Sequence, residues 1–157
     1  MLSETLRQNA IATAVEAFDA DAIVAGKLDR GELTLEIAPA KIASICGFLK
    51  YDQKFVRLSS VTAVDRYPLE PRFEVVYHLH SIEQKQRVRL KCRLEGYEPA
   101  IESVTSVWRG ANWYEREVFD LFGINFLNHP DLRRIMLPDD WEGHPLRKDY
   151  PVTGTRI

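Results

Sequence analysis

Long apolar runs are missing from this 157-residue chain, whose longest uncharged stretch is the ten residues Leu121–Pro130. A membrane-spanning helix needs about 20 apolar residues, so none is expected. Cysteine is scarce. Cys46 and Cys92 cannot form a disulfide framework and read as buried thiols of a reducing compartment. No G-x-x-x-x-G-K, G-x-G-x-x-G, G-x-S-x-G, C-x-x-C or H-E-x-x-H string occurs. Phosphate cradles, acyl-transfer elbows, cluster ligation and helical zinc sites therefore lack local support. An excess of one charge is missing too: 21 basic residues face 23 acidic ones, which gives no global field for nucleic acid. Met1-Leu2-Ser3-Glu4 carries an early acid and lacks the charged-then-apolar start of a signal peptide.

What is present points to one folded body. The chain is 45% hydrophobic by type, with seven Phe, six Tyr and three Trp, enough for a core and against disorder. Leu2, Leu6, Ala10, Ala14 and Phe18 recur every four residues, which predicts an amphipathic first helix, capped by Ser3 and ended at Asp19 to Asp21. Ile23 to Ala25, a turn at Asp29-Arg30-Gly31, and alternating Leu33, Leu35 and Ile37 predict a hairpin. Pro39 opens a helix with Ile42, Ile45, Cys46 and Leu49 on one face, and Phe55 to Val64 reads as a strand.

Residues 72–94 carry the sharpest sheet signal. Pairing Phe73 with Leu94 antiparallel sends Phe73, Val75, Tyr77, Leu79, Val88, Leu90, Cys92 and Leu94 to one face. Shifting by one residue would mix the faces. Glu74, His78, His80, Arg87, Arg89, Lys91 and Arg93 then share the other. Pro99 with Ile101, Val104 and Trp108 suggests a further helix. The order α-β-β-α-β-β-β-α implies an α+β fold with helices packed on a mixed or antiparallel sheet. Residues 1–123 are read as that domain and 124–157 as an extended C-terminal arm.

His78 and His80 could pair on a metal, but Arg89 and Arg87 opposite them oppose a divalent ion. The basic strand could suggest an RNA-binding sheet, yet Phe73 and Tyr77 point away from it and leave no aromatic platform. The better expectation is a solvated face or a face that docks an acidic partner. Asn112-Trp113-Tyr114-Glu115 resembles a capping box, and Gly123 is placed to stop the helix that follows. Arg116 and Asp120 are four apart and able to pair. Tyr114, Val118, Leu121 and Phe122 form an apolar stripe, while Trp113 and Phe119 lie off it, so the helix is apolar on two sides. Glu115 and Glu117 are two apart and cannot face each other as a catalytic pair. His129 and His144 each precede a proline and show no orienting partner; a stand-alone hydrolase or transferase would have to use them. The aperiodic segment from Leu137 interleaves Trp141, Leu146, Tyr150 and Val152 with charges, which suits an arm laid across a partner. Its order should depend on what it lies against.

Glu115-Arg116-Glu117, Asp120-Leu121-Phe122, then His129, Arg133, Ile135 and Met136 resemble, spacing included, the hallmark of the C subunit of bacterial NADH:quinone oxidoreductase, the 30-kDa-subunit family of respiratory complex I. Glu142-Gly143-His144-Pro145-Leu146-Arg147-Lys148-Asp149-Tyr150-Pro151 resembles its second hallmark. The strands at Val61–Asp65, Phe73–His78 and from Arg87 fit its upstream pattern. The resemblance implies a cofactor-free hydrophilic subunit of the peripheral arm of a proton-pumping translocase. That complex carries electrons from NADH through FMN and Fe-S clusters to quinone, and is held peripherally on the cytoplasmic side of the cell membrane. It implies a scaffold for the large quinone-site subunit and the cluster-bearing subunits, with no catalytic, cofactor or metal residue of its own and no nucleic-acid partner. An equivalent subunit of a related complex using ferredoxin or hydrogen is the alternative. The interface is expected at Trp113, Glu115, Arg116, Glu117, Asp120, His129, Arg133, Trp141, Glu142, His144, Arg147, Lys148 and Tyr150.

Overall fold

A computed structural model of the chain describes residues 4–153; the expected cap at Ser3 and the packing of Leu2 lie outside the described residues. The first helical stretch is broken in two, α1 (Glu4–Arg7) and α2 (Ala10–Phe18). The break has a local cause. The Asn9 carboxamide oxygen accepts the Ile11 and Ala12 N–H groups at 3.0 and 3.1 Å and starts a new helix.

β1 (Ile23–Asp29) and β2 (Glu32–Ile37) form the expected hairpin, turning through Arg30 and Gly31, both at positive φ. After a short 3-10 turn at Pro39–Lys41 comes α3 (Ile42–Tyr51), then β3 (Arg57–Asp65), β4 (Phe73–Ser81) and β5 (Gln86–Leu94). The five strands lie in the order β1-β2-β5-β4-β3. The β4–β5 register pairs Phe73 with Leu94 and His78 with Arg89, as the parity of the apolar residues requires. Within this five-stranded sheet β2 and β5 are the parallel pair, so the sheet is mixed and the class is α+β.

The helix expected from Pro99 is not there. Ala100–Glu102 is a short strand, β6, paired in parallel with β7 (Asn125–Leu127). Three residues are too few for periodicity to separate the two, and the partner strand lies 25 positions away. The last helix, α4 (Ala111–Phe122), ends at Gly123 with φ 72°, the left-handed stop read from sequence. Asn112 does not cap it: Gly110 precedes the helix without a side-chain cap bond, and Asn112 lies inside.

One core lies between the sheet and its helices. Leu35, Ile37, Phe73, Val75, Tyr77, Leu90 and Cys92 meet Ile11, Val15, Ile42, Ile45, Leu49 and Val118 there. Ile124 and Phe126 belong to it as well. The opposite sheet face is less basic than β5 alone suggests, because β2 brings acids against it. Arg89 meets Glu32 at 3.1 Å and Arg93 meets Glu36 at 3.3 Å, while Lys91 reaches Glu74 of β4 at 2.8 Å.

Candidate functional site

α4 is inside out. Its charged residues Glu115, Arg116 and Asp120 are buried, while Trp113 is 61% exposed. Buried charges on a helix must be compensated, and each of these three organises a piece of irregular chain.

Glu115 turns toward the β6 end. Its Oε1 accepts the Val104 N–H at 2.7 Å and its Oε2 lies 2.6 Å from Ser103 Oγ. Among the described residues no cation offsets it: His129 Nε2 is 3.9 Å away, and that ring is neutral by its own bonds. His129 Nδ1 accepts the Asp131 N–H at 3.0 Å, so Nε2 carries the hydrogen, which it donates to the Asn112 carbonyl at 3.2 Å. Burial pushes the Glu115 carboxyl up to about 7 against the two hydrogen bonds that favour its charged form. Burial also lowers His129 below its usual range.

Arg116 does not pair with Asp120. Its Nε and Nη2 donate to the carbonyls of Arg133 and Arg134 at 3.1 and 3.2 Å, and Trp113 lies over its guanidinium at 5.0 Å. The partner of Asp120 is Arg134, at 2.6 Å. Asp120 Oδ2 also accepts three consecutive N–H groups, from Ile135, Met136 and Leu137, at 3.0, 2.7 and 2.9 Å. Burial raises this carboxyl, but Arg134 and the three N–H groups outweigh it and hold it below its ordinary value. Arg134 then ties the loop to the arm through the carbonyls of Trp141 and Gly143, both at 2.9 Å.

The arm finishes the helix. A helix end leaves about four carbonyls without intrahelical partners. Here Gly123 N–H donates to Phe119 O, and the other three are met by the arm. His144 Nδ1 lies 2.8 Å from Asp120 O, Leu146 N–H bonds Leu121 O at 3.0 Å, and Arg147 Nε bonds Phe122 O at 2.6 Å. Arg134 and Arg147 also place positive charge where the helix dipole is negative. A Cβ on Gly123 would lie 2.5 Å from the His144 ring and 2.7 Å from Arg147 Nη2, so the close seat needs glycine as much as its φ does.

A second clamp holds residues 147–149 against the end of the sheet. Asp65, at the end of β3, takes Arg72 through Nε and Nη2 at 2.9 and 2.8 Å, and the Lys148 N–H at 2.8 Å. Burial raises Asp65, but Arg72 and the N–H groups of Lys148 and Tyr67 outweigh it and hold the carboxyl at about 2. The same Arg72 reaches Asp149 at 2.7 and 3.1 Å. The Arg147 guanidinium lies 5.1 Å from the Phe73 ring and 4.8 Å from the Tyr97 ring.

The candidate residues thus divide. Glu115, Arg116, Asp120, His129, His144 and Arg147 serve the chain's own architecture. Trp113, Glu117, Arg133, Glu142 and Lys148 are exposed, and Trp141 and Tyr150 are half-buried. Arg134, Asp65, Arg72 and Ser103 escape a reading of the sequence. Arg134 has no period to distinguish it from Arg133, and Asp65 lies 83 positions from Lys148. Among the described residues no group of three or more His, Cys, Asp or Glu could hold a metal ion, and no helix is long and apolar enough to cross a membrane.

Known proteins resemble this chain in sequence and in fold. Residues 35–156 match the family described as respiratory-chain NADH dehydrogenase, 30 Kd subunit. The NADH-quinone oxidoreductase C subunit of Geobacter sulfurreducens is 53% identical over 126 residues, covering 80% of this chain and 78% of that protein. Its counterpart from Geotalea uraniireducens is 50% identical over 135 residues, covering 86% and 82%. A solved trypsin-resistant fragment of Nqo5 superposes with TM-score 0.66 at 29% identity over 76% of this chain and 97% of its own. A chain of an archaeal membrane-bound sulfane sulfur reductase does so with TM-score 0.78 at 28% identity over 90% and 84%. The matched span contains both hallmark segments and every clamp of the arm; this chain belongs to the family of the 30-kDa subunit of respiratory-chain NADH dehydrogenase.

Proposed function

We propose that this chain is a structural subunit in the peripheral arm of an NADH:quinone oxidoreductase, holding no cofactor and having no active site of its own. It braces the large quinone-site subunit and the cluster-bearing subunits, so that FMN, Fe-S clusters and quinone keep the geometry that electron transfer from NADH requires. It is peripheral to the cell membrane, on the cytoplasmic side, through the complex. The α+β domain is taken as residues 1–123 and the interface arm as 124–157, the arm entering through β7, where Ile124 and Phe126 are seated in the domain core.

One observation carries this reading. α4 turns three of its four charged side chains inward, Glu115 on Ser103 and Val104, and Arg116 and Asp120 on the 133–137 loop, and leaves apolar groups outside. Trp113 is 61% and Met136 63% exposed, with Ile135 and Leu127 also among the exposed apolar side chains. Exposed large apolar groups on a rigidly held seam favour a partner surface over a solvated one. The histidines weigh against a hydrolase. Both ring nitrogens of His129 are engaged within the chain, and His144 is tied to the end of α4.

Replacing both Trp113 and Met136 by glutamate tests the reading. The isolated chain should keep its melting temperature, while native gels of detergent-solubilised membranes should show loss of the chain from the complex and of NADH:quinone activity. Full assembly of the double variant would refute the seam as the interface. The likeness to the sulfane sulfur reductase chain supports a second reading, an equivalent subunit in a complex with another donor, ferredoxin or hydrogen. Donor-dependent quinone reduction by the purified wild-type complex separates the two.

A further inference from the structure

The cations of the open sheet face fall into two groups. Arg89, Lys91 and Arg93 are each paired with Glu32, Glu74 or Glu36. At the other end of the face, Arg57 of β3, His80 of β4 and Arg87 of β5 stand side by side, because the register pairs Arg57 with His80 and His80 with Arg87. Among the described residues these three side chains make no hydrogen bond, ion pair or ring contact. They line a cavity of about 490 Å³ with Ser59, Ser60 and His78. Its one carboxylate, Glu32, is engaged by Arg89 at 3.1 Å.

The floor of the cavity is neutral. Arg89 Nε donates to His78 Nε2 at 3.1 Å. Arginine only donates, so the His78 hydrogen lies on Nδ1 and points at Ser60 Oγ, 3.0 Å away. Burial and the neighbouring Arg89 both lower the basicity of His78. The positive character of the pocket therefore comes from Arg57 and Arg87, with His80 between them. Strands lie about 4.8 Å apart, so the three side chains start from a line about 10 Å long.

We propose that this pocket docks an acidic segment of a neighbouring subunit, one or two of whose Asp or Glu carboxylates are gripped by Arg57 and Arg87 across His80. Charge complementarity chooses the occupant. Nothing among the described residues offsets these two guanidinium groups, and their planar forks match carboxylates in paired hydrogen bonds. Carboxylates presented at alternate positions of an extended chain lie about 7 Å apart, within the span of the row. The inference rests on the reading of this chain as a subunit, and it places a second contact on the sheet face, away from the α4 seam.

Two variants of the full chain, expressed in place of the wild type, test it. Arg57→Glu with Arg87→Glu should leave the isolated chain's melting unchanged and strip the chain from the solubilised complex at lower salt than wild type. Arg57→Lys with Arg87→Lys keeps the charge and should restore salt resistance. It also supplies amines that a carbodiimide joins directly to carboxylates in contact, so peptide mapping should find links from positions 57 and 87 to Asp or Glu of another subunit. Equal salt resistance of all three forms, or links only to this chain's own acids in an intact complex, would overturn the docking site. Stabilisation of the isolated chain by inorganic phosphate without intersubunit links would assign the pocket to a small oxyanion and overturn it as well. Absence of the wild-type chain from any complex would instead remove the subunit reading itself.

Discussion

Glu115→Gln should make the chain more stable in alkali and nearly unchanged in acid. The carboxyl titrates at about 7 when folded, against 4.5 ordinarily. A folded pKa above the unfolded one means that the folded state binds more protons between these values. Stability is therefore greatest below 4.5 and falls as pH rises towards 7, then levels off. The gap of about 2.5 units at 1.36 kcal/mol each is worth about 3 kcal/mol. Glutamine avoids the penalty, since it is never charged. Its oxygen can accept the Val104 N–H, and its NH₂ can donate to Ser103 Oγ, whose own hydrogen is then free to go to Thr105 Oγ1 at 2.7 Å.

The magnitude is measurable. For a domain of this size about 3 kcal/mol corresponds to a shift of about 10 °C in Tm. Circular-dichroism melts of wild type and variant at unit steps from pH 4 to pH 8 would show curves that nearly coincide at pH 4 and diverge by about this amount at pH 8. Neighbouring groups titrate too. Burial lowers His129 below its usual range and Glu102 lies close enough to raise Glu115, but both groups are present in each protein and largely cancel in the difference. Two curves separated by a constant amount at every pH would refute the reasoning, because a Glu115 of ordinary acidity produces no divergence over this range.

Asp120→Ala should cost about 3–5 kcal/mol, since it strands three N–H groups and the Arg134 guanidinium, and hydrogen exchange should report residues 134–147 opening with it. Arg116→Ala removes two hydrogen bonds to carbonyls of the 133–134 segment and should cost about 1–3 kcal/mol in chemical denaturation. Gly123→Ala should lower Tm and speed exchange at the Leu146 and Arg147 amides, because both the φ of 72° and the seats of His144 and Arg147 exclude a Cβ. Asp65 is held at about 2 while its ordinary value is 3.8. Its contribution is thus present above pH 4 and lost as pH falls through 2, and Asp65→Asn should flatten that part of the acid-unfolding curve.

Local rules carried the hairpins. The β4–β5 register follows from one constraint, that Phe73, Val75, Tyr77 and Leu79 share a face with their partners, and this is written in adjacent residues. The parallel pairing of β2 with β5 is not, because the acids it brings to Arg89 and Arg93 lie more than fifty positions earlier. The β5 face therefore reads as uniformly basic, whereas among the described residues the unpaired cations of the face stand at its Arg57–His80–Arg87 end. The same limit turns β6 into a helix: Ile101 and Val104 fit a helical step as well as they fit a three-residue strand and the turn after it.

The candidate site shows a different kind of limit. Residue types at Glu115, Arg116 and Asp120 mark α4 as unusual, and the double-sided apolar pattern implies that its charges are not simply solvated. The partners cannot be read, because i,i+4 spacing makes Arg116–Asp120 the nearest pair on any helix. The fold overrides that pairing for an electrostatic reason. A carboxylate offered three convergent N–H groups and a guanidinium is better satisfied than by one neighbouring arginine, and Arg116 is then needed for the carbonyls left over at 133 and 134. Such exchange is possible only if the 133–137 loop is already in place, so helix and loop specify each other. The arm follows from the same logic. Beyond β7 its described residues form no regular hydrogen-bond ladder, and it borrows its order from the unpaired carbonyls of α4 and from Asp65. What it lies against is therefore first its own domain, and the apolar groups left outside, Trp113 and Met136 foremost, are held in fixed positions before any partner arrives.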